Sequence, residues 1–139
     1  VSGTHVVWSY DGINRSMSTP SIADGLIYVA DYSGFIYCLD ALTGELLWRH
    51  DTMAHIWGST LVADGKVYIG NEDGYLTILP AERTLDSKKV VEVDMTSPVY
   101  SSPVAANGVL YVATHTHLFA IEAGASAAGA CAFCAGAAA

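Results

Sequence analysis

Basic residues are scarce in this sequence. Six Lys and Arg stand against 14 Asp and Glu, for a formal net charge of −8. With no cationic surface to neutralise phosphates, a nucleic-acid partner is disfavoured. Long apolar runs are missing too: no uncharged stretch is long enough to cross a bilayer as a helix, and no Lys- or Arg-led apolar run opens the chain as a signal peptide. Cysteine is sparse, with Cys38 inside an apolar run and Cys131 and Cys134 near the end, so there is no disulfide framework. Neither a phosphate-binding glycine loop nor a nucleophile-elbow pattern occurs. No helical period stands out over any window.

What is present is a repeat. The 139 residues suffice for one domain. From Ala123 onward, however, the chain becomes "AGASAAGACAFCAGAAA", without charge or periodicity. This tail reads as a linker, a short Ala-rich helix or a run of positions whose true residues are unidentified, and it is set aside in reasoning about the fold. The body, residues 1–122, contains "TPSIADGLIYVADYSGFIYCLD" from Thr19, "STLVADGKVYIGNEDGYLTILP" from Ser59 and "SPVAANGVLYVATHTHLFAIE" from Ser102, offset by 40 and 43 residues. Each copy has a short small-residue strand and then an Asp-Gly or Asn-Gly turn, a strong hairpin signal (Asp24-Gly25, Asp64-Gly65, Asn107-Gly108). A β-branched and aromatic strand with a Tyr in register (Tyr28, Tyr68, Tyr111), a second turn and a third strand complete the common pattern. "ELLWRH" and "KKVVEVD" add fourth strands to the first two copies, and "VVWSY" at the start reads as the fourth strand of a preceding copy.

Four antiparallel strands recurring about every 40 residues give an all-β chain of β-propeller blades, here spanning about 18–50, 59–94 and 102–122. A closed ring needs about 4 to 8 such blades. The chain therefore reads as about three blades from the C-terminal part of a larger ring of seven or eight. The edge at Leu118 to Glu122 is expected to be paired by another segment or subunit.

"CLDALTGELLW", residues 38–48, resembles the repeat signature of the pyrroloquinoline quinone (PQQ)-like propeller superfamily. There a small residue, an Asp, a Gly and a Trp dock each blade onto the next; here these are Cys38, Asp40, Gly44 and Trp48, with Cys38 where Ala is usual. The second copy departs from the pattern, with Pro80 at the Asp position and Val91 or Val93 near the Trp position, and the third stops at Glu122. The resemblance covers residues 6–122 and implies the fold. The superfamily holds quinoprotein dehydrogenases, the propeller lipoprotein of the outer-membrane β-barrel assembly machinery and many non-catalytic modules, so fold alone does not choose an activity. It implies a periplasmic or otherwise extracytoplasmic location.

Strand parity puts the links between blades and the second-to-third-strand turns on one face. That face collects Arg15, Met53, His55, Trp57 and Tyr100 from links, and Tyr32, Glu72, Asp73 and His115 from turns. The mixture suits a ligand or a partner; the bland alternative is exposed polar loops, with Trp57 and Met53 packed between blades. His115 and His117, one residue apart, would share a strand face as metal ligands, though no third ligand is spaced to join them. "CAFCA", residues 131–135, has the spacing of covalent haem attachment, a redox pair or half a zinc site, but Ala135 stands where the haem His would follow. In the superfamily a quinone stacks on a Trp and an adjacent-Cys disulfide beside Ca²⁺, and this chain has no Cys-Cys pair.

The leading expectation is a non-catalytic protein-interaction or scaffold module in a larger extracytoplasmic complex, free or membrane-associated, without cofactor. Its partners would be other proteins or the remaining blades. The alternatives are a fragment of a PQQ-dependent dehydrogenase with Ca²⁺, or a docking module linked to a c-type cytochrome.

Overall fold

The computed structural model describes residues 5–122. Strands β1 (Ser21–Ala23), β2 (Leu26–Ala30), β3 (Phe35–Asp40) and β4 (Leu46–Asp51) form one antiparallel sheet in chain order. A second follows with β5 (Leu61–Ala63), β6 (Lys66–Gly70), β7 (Tyr75–Pro80) and β8 (Val91–Asp94), and a third with β9 (Val104–Ala106), β10 (Val109–Ala113) and β11 (Leu118–Glu122). The first hairpin of every sheet has two consecutive residues with positive φ, such as Asp24 at 49° and Gly25 at 74°. That is the backbone a two-residue hairpin requires to match strand twist, and Asp, Asn and Gly tolerate it best.

The sheets stack blade on blade, and period-two alternation decides which neighbour each side chain meets. Leu26, Tyr28 and Ala30 of β2, with Ile36 and Cys38 of β3, face the second sheet and pack with Val67, Ile69 and Leu79. The intervening Val29, Tyr37 and Leu39 turn the other way, onto Tyr10 and Ile13. Tyr68, Leu76 and Ile78 of the second sheet meet Leu110 and Val112 of the third. Because the middle strands are covered on both faces, they read as nearly continuous apolar runs, as in any sheet buried on two sides. The outward face of the third sheet is uncovered among the described residues, with Leu118 and Tyr111 exposed. β11 has no partner there beyond β10.

The innermost strands β1, β5 and β9 lie side by side. A serine latch repeats between them: the Thr19 amide donates to Ser59 Oγ and the Ser59 amide to Ser102 Oγ, both at 2.8 Å. Thr60 Oγ1 adds a buried bond to the Tyr28 carbonyl at 3.0 Å.

Two expected strands are corrected. "VVWSY" is not a strand, because no described strand lies beside it to supply the ladder; instead Trp8 docks its ring on the first sheet. "KKVVEVD" is a strand only from Val91, since Ser87–Lys89 form a single 3₁₀ turn capped by Asp86, whose Oδ1 accepts from the Lys88 amide at 3.0 Å.

Candidate functional site

The two ends of the strands make two faces. One carries the Asp-Gly and Asn-Gly hairpins together with the third-to-fourth-strand turns; the Ala41 and Ala81 amides donate to the Gly25 and Gly65 carbonyls, both at 2.9 Å. The other carries the turns after β2, β6 and β10 and the links between sheets, and here one backbone bond occurs three times. Tyr32 donates to the Arg15 carbonyl, Glu72 to that of His55 and His115 to that of Pro98, each at 2.8 Å. Each link is thereby tied to a turn, and the side chains of both converge. The turns themselves are shaped by side-chain acceptors: Asp31 Oδ1 takes the Phe35 amide at 3.2 Å and Asn71 Oδ1 the Tyr75 amide at 3.0 Å. Asp31 is buried and also accepts from the Tyr37 hydroxyl at 2.7 Å. Burial, reinforced by that bond, raises the Tyr37 phenol far above its ordinary range, so it remains a donor.

On this second face the structure brings most of the expected residues into one row. The Arg15 guanidinium lies 5.6 Å from the centre of the Tyr32 ring. Tyr32 stacks on His55 at 4.3 Å, nearly parallel, and His55 Nδ1 sits 2.9 Å from the Tyr32 carbonyl, which fixes Nδ1 as the protonated nitrogen. Trp57 meets Tyr32 edgewise at 5.1 Å and Tyr100 edgewise at 5.9 Å, and Tyr100 reaches His115 at 6.1 Å. Trp57 Nε1 donates to Glu72 Oε2 at 2.8 Å, which sets the indole's orientation. Asp73 is exposed beside Glu72. Trp57 and Met53 do not pack between blades: they are 40% and 84% exposed.

Asp40, Gly44 and Trp48 belong to the opposite face, where they join blades. Asp40 Oδ1 accepts from the Leu42 and Thr43 amides at 2.9 and 3.1 Å, and Oδ2 meets Arg83 of the next sheet at 2.9 Å. The Arg83 guanidinium first, and those amides second, hold the Asp40 carboxyl below the usual carboxylate range. Trp48 seals the next sheet's turn rather than its own, with Nε1 donating to the Glu82 carbonyl at 2.8 Å. Trp8 does the same one blade earlier, its Nε1 donating to the Ala41 carbonyl at 3.0 Å and its ring lying against Gly44. Trp8 was not among the expected docking residues, yet it precedes Trp48 by the same 40-residue offset that separates the repeats.

The two histidines weighed as metal ligands go to different neighbours. His115 reaches Tyr100, whereas His117 contacts Phe119 and has its Nδ1 2.9 Å from Thr116 Oγ1, and among the described residues no three His, Cys, Asp or Glu converge. Among the described residues no adjacent-Cys disulfide stands beside a Trp, Trp48 is closed between blades, and Trp57 has the Tyr32 and Tyr100 rings at right angles to its own. Cys131 and Cys134 lie outside the described residues. Cys38 is buried, which pushes its thiol up to about 11 and leaves it inert at neutral pH.

Comparison with known proteins returns one family and one architecture. A family model described as outer membrane protein assembly factor BamB matches residues 3–84. Among solved structures, BamB from Moraxella catarrhalis superposes with a TM-score of 0.63 at 23% identity, covering 77% of this chain and 33% of that one. The quinohemoprotein alcohol dehydrogenase ADHIIG from Pseudomonas putida HK5 gives 0.62 at 24% identity over 73% of this chain and 17% of that one. The quinohemoprotein alcohol dehydrogenase from Comamonas testosteroni gives 0.60 at 21% over 72% and 17%. No curated protein matches. The chain spans about a third of the first of these structures and about a sixth of the other two, and the likeness is one of fold: a partial β-propeller.

Proposed function

We infer a scaffold role for this chain, which belongs to the PQQ-like repeat family described as outer membrane protein assembly factor BamB. The chain is a non-catalytic part of a propeller that holds a protein partner on its aromatic face within a larger extracytoplasmic complex. One observation carries this reading: Tyr32, His55, Trp57, Tyr100 and His115, drawn from four loops of three blades, form a continuous row in which all but the half-buried Tyr32 are exposed. Large apolar side chains left in water without packing need are the usual mark of a contact surface, and Tyr and Trp dominate the energetics of such contacts. The blade core supplies rigidity, so the row is presented with little entropy left to lose. The dehydrogenase alternative rests on shared fold, which many unrelated functions use.

The test is site-specific photo-cross-linking in cells with the full-length protein. Met53 on the aromatic face and Leu42 on the other are 84% and 83% exposed, so a photoreactive residue at either is equally accessible. Protein adducts are expected from position 53, absent from position 42, and lost when Trp57 and Tyr100 are both replaced by Ala. Equal adducts from both positions, or none from position 53, would refute the assignment.

A further inference from the structure

We propose that the seam between the first and second blades is an acid-sensitive joint, in which protonation of His50 parts the blades and breaks the aromatic row. The inference rests on the scaffold reading above, because a partner held on the row is released with it. Unpaired polar atoms mark the seam. Three buried side-chain atoms have no hydrogen-bond partner among the described residues: the Tyr28 hydroxyl, His50 Nε2 and Thr77 Oγ1. All three belong to this one interface. Tyr28, Trp48 and Leu79 form part of its core, and strand alternation puts His50 on the face of Trp48 and Thr77 on the face of Leu79. Of the three unpaired groups, only the imidazole changes charge near neutrality. The charged groups that face it are Glu92 of β8 and Asp51 of its own strand. Its cross-strand neighbour on β3 is Ile36, and Glu92 pairs across β7 with the neutral Thr77. Tyr28 and Cys38, further toward the hairpin face, titrate only in alkali. While the seam is closed, burial outweighs the two carboxylates and keeps the His50 ring neutral. Opening returns the ring to water, where it binds a proton at its ordinary value of 6.5, so a fall in pH below that value favours the open form.

The anchoring of the row carries the effect to the surface. His50 stands two residues before Thr52, where the link 52–60 begins, and that link is fastened to both blades. On the first blade, the Thr52 amide and Oγ1 both donate to the Gly34 carbonyl at 2.9 Å, while His55 bonds to the Tyr32 carbonyl and stacks on its ring. On the second blade Glu72 alone holds it: the Glu72 amide donates to the His55 carbonyl and its carboxylate accepts from Trp57 Nε1, both at 2.8 Å. Parting the seam cannot preserve both sets. The set at Glu72 is the smaller and yields first, which frees the Trp57 indole and interrupts the row between Tyr32 and Tyr100.

The experiment follows amide hydrogen exchange of the full-length protein by mass spectrometry at about pH 7.5 and about pH 5.5, corrected for the intrinsic pH dependence of exchange. The Glu72 amide is the reporter. With a pKa of 6.5 in the open form and a closed ring that stays neutral, opening increases by at most about tenfold between the two values. The corrected rate at Glu72 should rise toward that ceiling, and His50→Leu should abolish the rise. Glu92→Gln, at an exposed position, should bring the rise closer to the ceiling, because it removes a carboxylate that favours the protonated ring in the closed seam. A rise that persists in His50→Leu, that shrinks in Glu92→Gln, or that is shared equally by the amides at the middle of β6 overturns the proposal. The adducts from position 53 separate the two readings. Adducts undiminished at the lower pH overturn this proposal and leave the scaffold role standing, whereas no adduct at either pH removes the role itself.

Discussion

Replacing Gly44 by Ala tests how the blades are joined, and Gly25→Ala is its matched control. The two glycines share a left-handed backbone, with φ of 73° and 74°. A Cβ there costs roughly 1–2 kcal/mol from backbone sterics alone. They differ in surroundings. A Cβ on Gly25 would have nothing within 4 Å, whereas on Gly44 it would sit 2.5 Å from the Trp8 ring. That ring is half-buried and must be displaced, which breaks its bond to the Ala41 carbonyl and returns apolar area to water. The hydrogen bond is worth about 1 kcal/mol and the lost burial another 1 or so. Gly25→Ala should therefore cost about 1 kcal/mol and Gly44→Ala about 3. Urea unfolding followed by circular dichroism would measure both. In a Trp8→Ala background the excess should vanish, leaving a coupling of about 2 kcal/mol in the double-mutant cycle. Equal costs for the two glycines, or a Gly44→Ala cost unchanged without Trp8, would show that the ring is not the neighbour that matters.

Two further perturbations probe the interface between the first and second blades. Trp48 is 8% exposed, tilts against Tyr28 at 5.9 Å and donates to Glu82; Trp48→Ala should cost about 3–5 kcal/mol in denaturant melts, and a loss under about 1 kcal/mol would remove it as a packing anchor. His50 on β4 is half-buried, its Nε2 has no hydrogen-bond partner, and burial lowers its pKa despite the opposing Glu92 and Asp51 carboxylates. A histidine whose folded pKa lies below its unfolded value of 6.5 is protonated first in the unfolded chain, so stability should fall as pH drops below that value and level off once the folded form titrates. His50→Leu should flatten this part of the stability–pH profile; an unchanged slope would assign it to other groups.

The repeat was legible because its determinants are local. Asp24-Gly25, Asp64-Gly65 and Asn107-Gly108 announce two-residue hairpins by backbone chemistry confined to two positions, and the runs around Tyr28, Tyr68 and Tyr111 announce strands by β-branched and aromatic content. Once four strands per repeat are recognised, parity alone places Tyr32 and His55 on the face opposite Asp64. Two signals were present and misread: the 40-residue step from Trp8 to Trp48, and Asp86, whose side chain caps a 3₁₀ turn where the apolar pattern suggests strand.

By itself the sequence determined the strands, the turns and the face on which each loop emerges, because these follow from contacts a few residues long. The tertiary structure alone decided that Trp48 closes on Glu82 of the next blade and that Tyr32, Trp57 and Tyr100 stand ring against ring. Each of these depends on how one blade is set against another, and that setting comes from the joint packing of two sheet faces, such as Leu26, Tyr28 and Cys38 against Val67, Ile69 and Leu79. Side-chain volume across such an interface is shared between residues about 40 positions apart, and no local pattern encodes which ring will meet which.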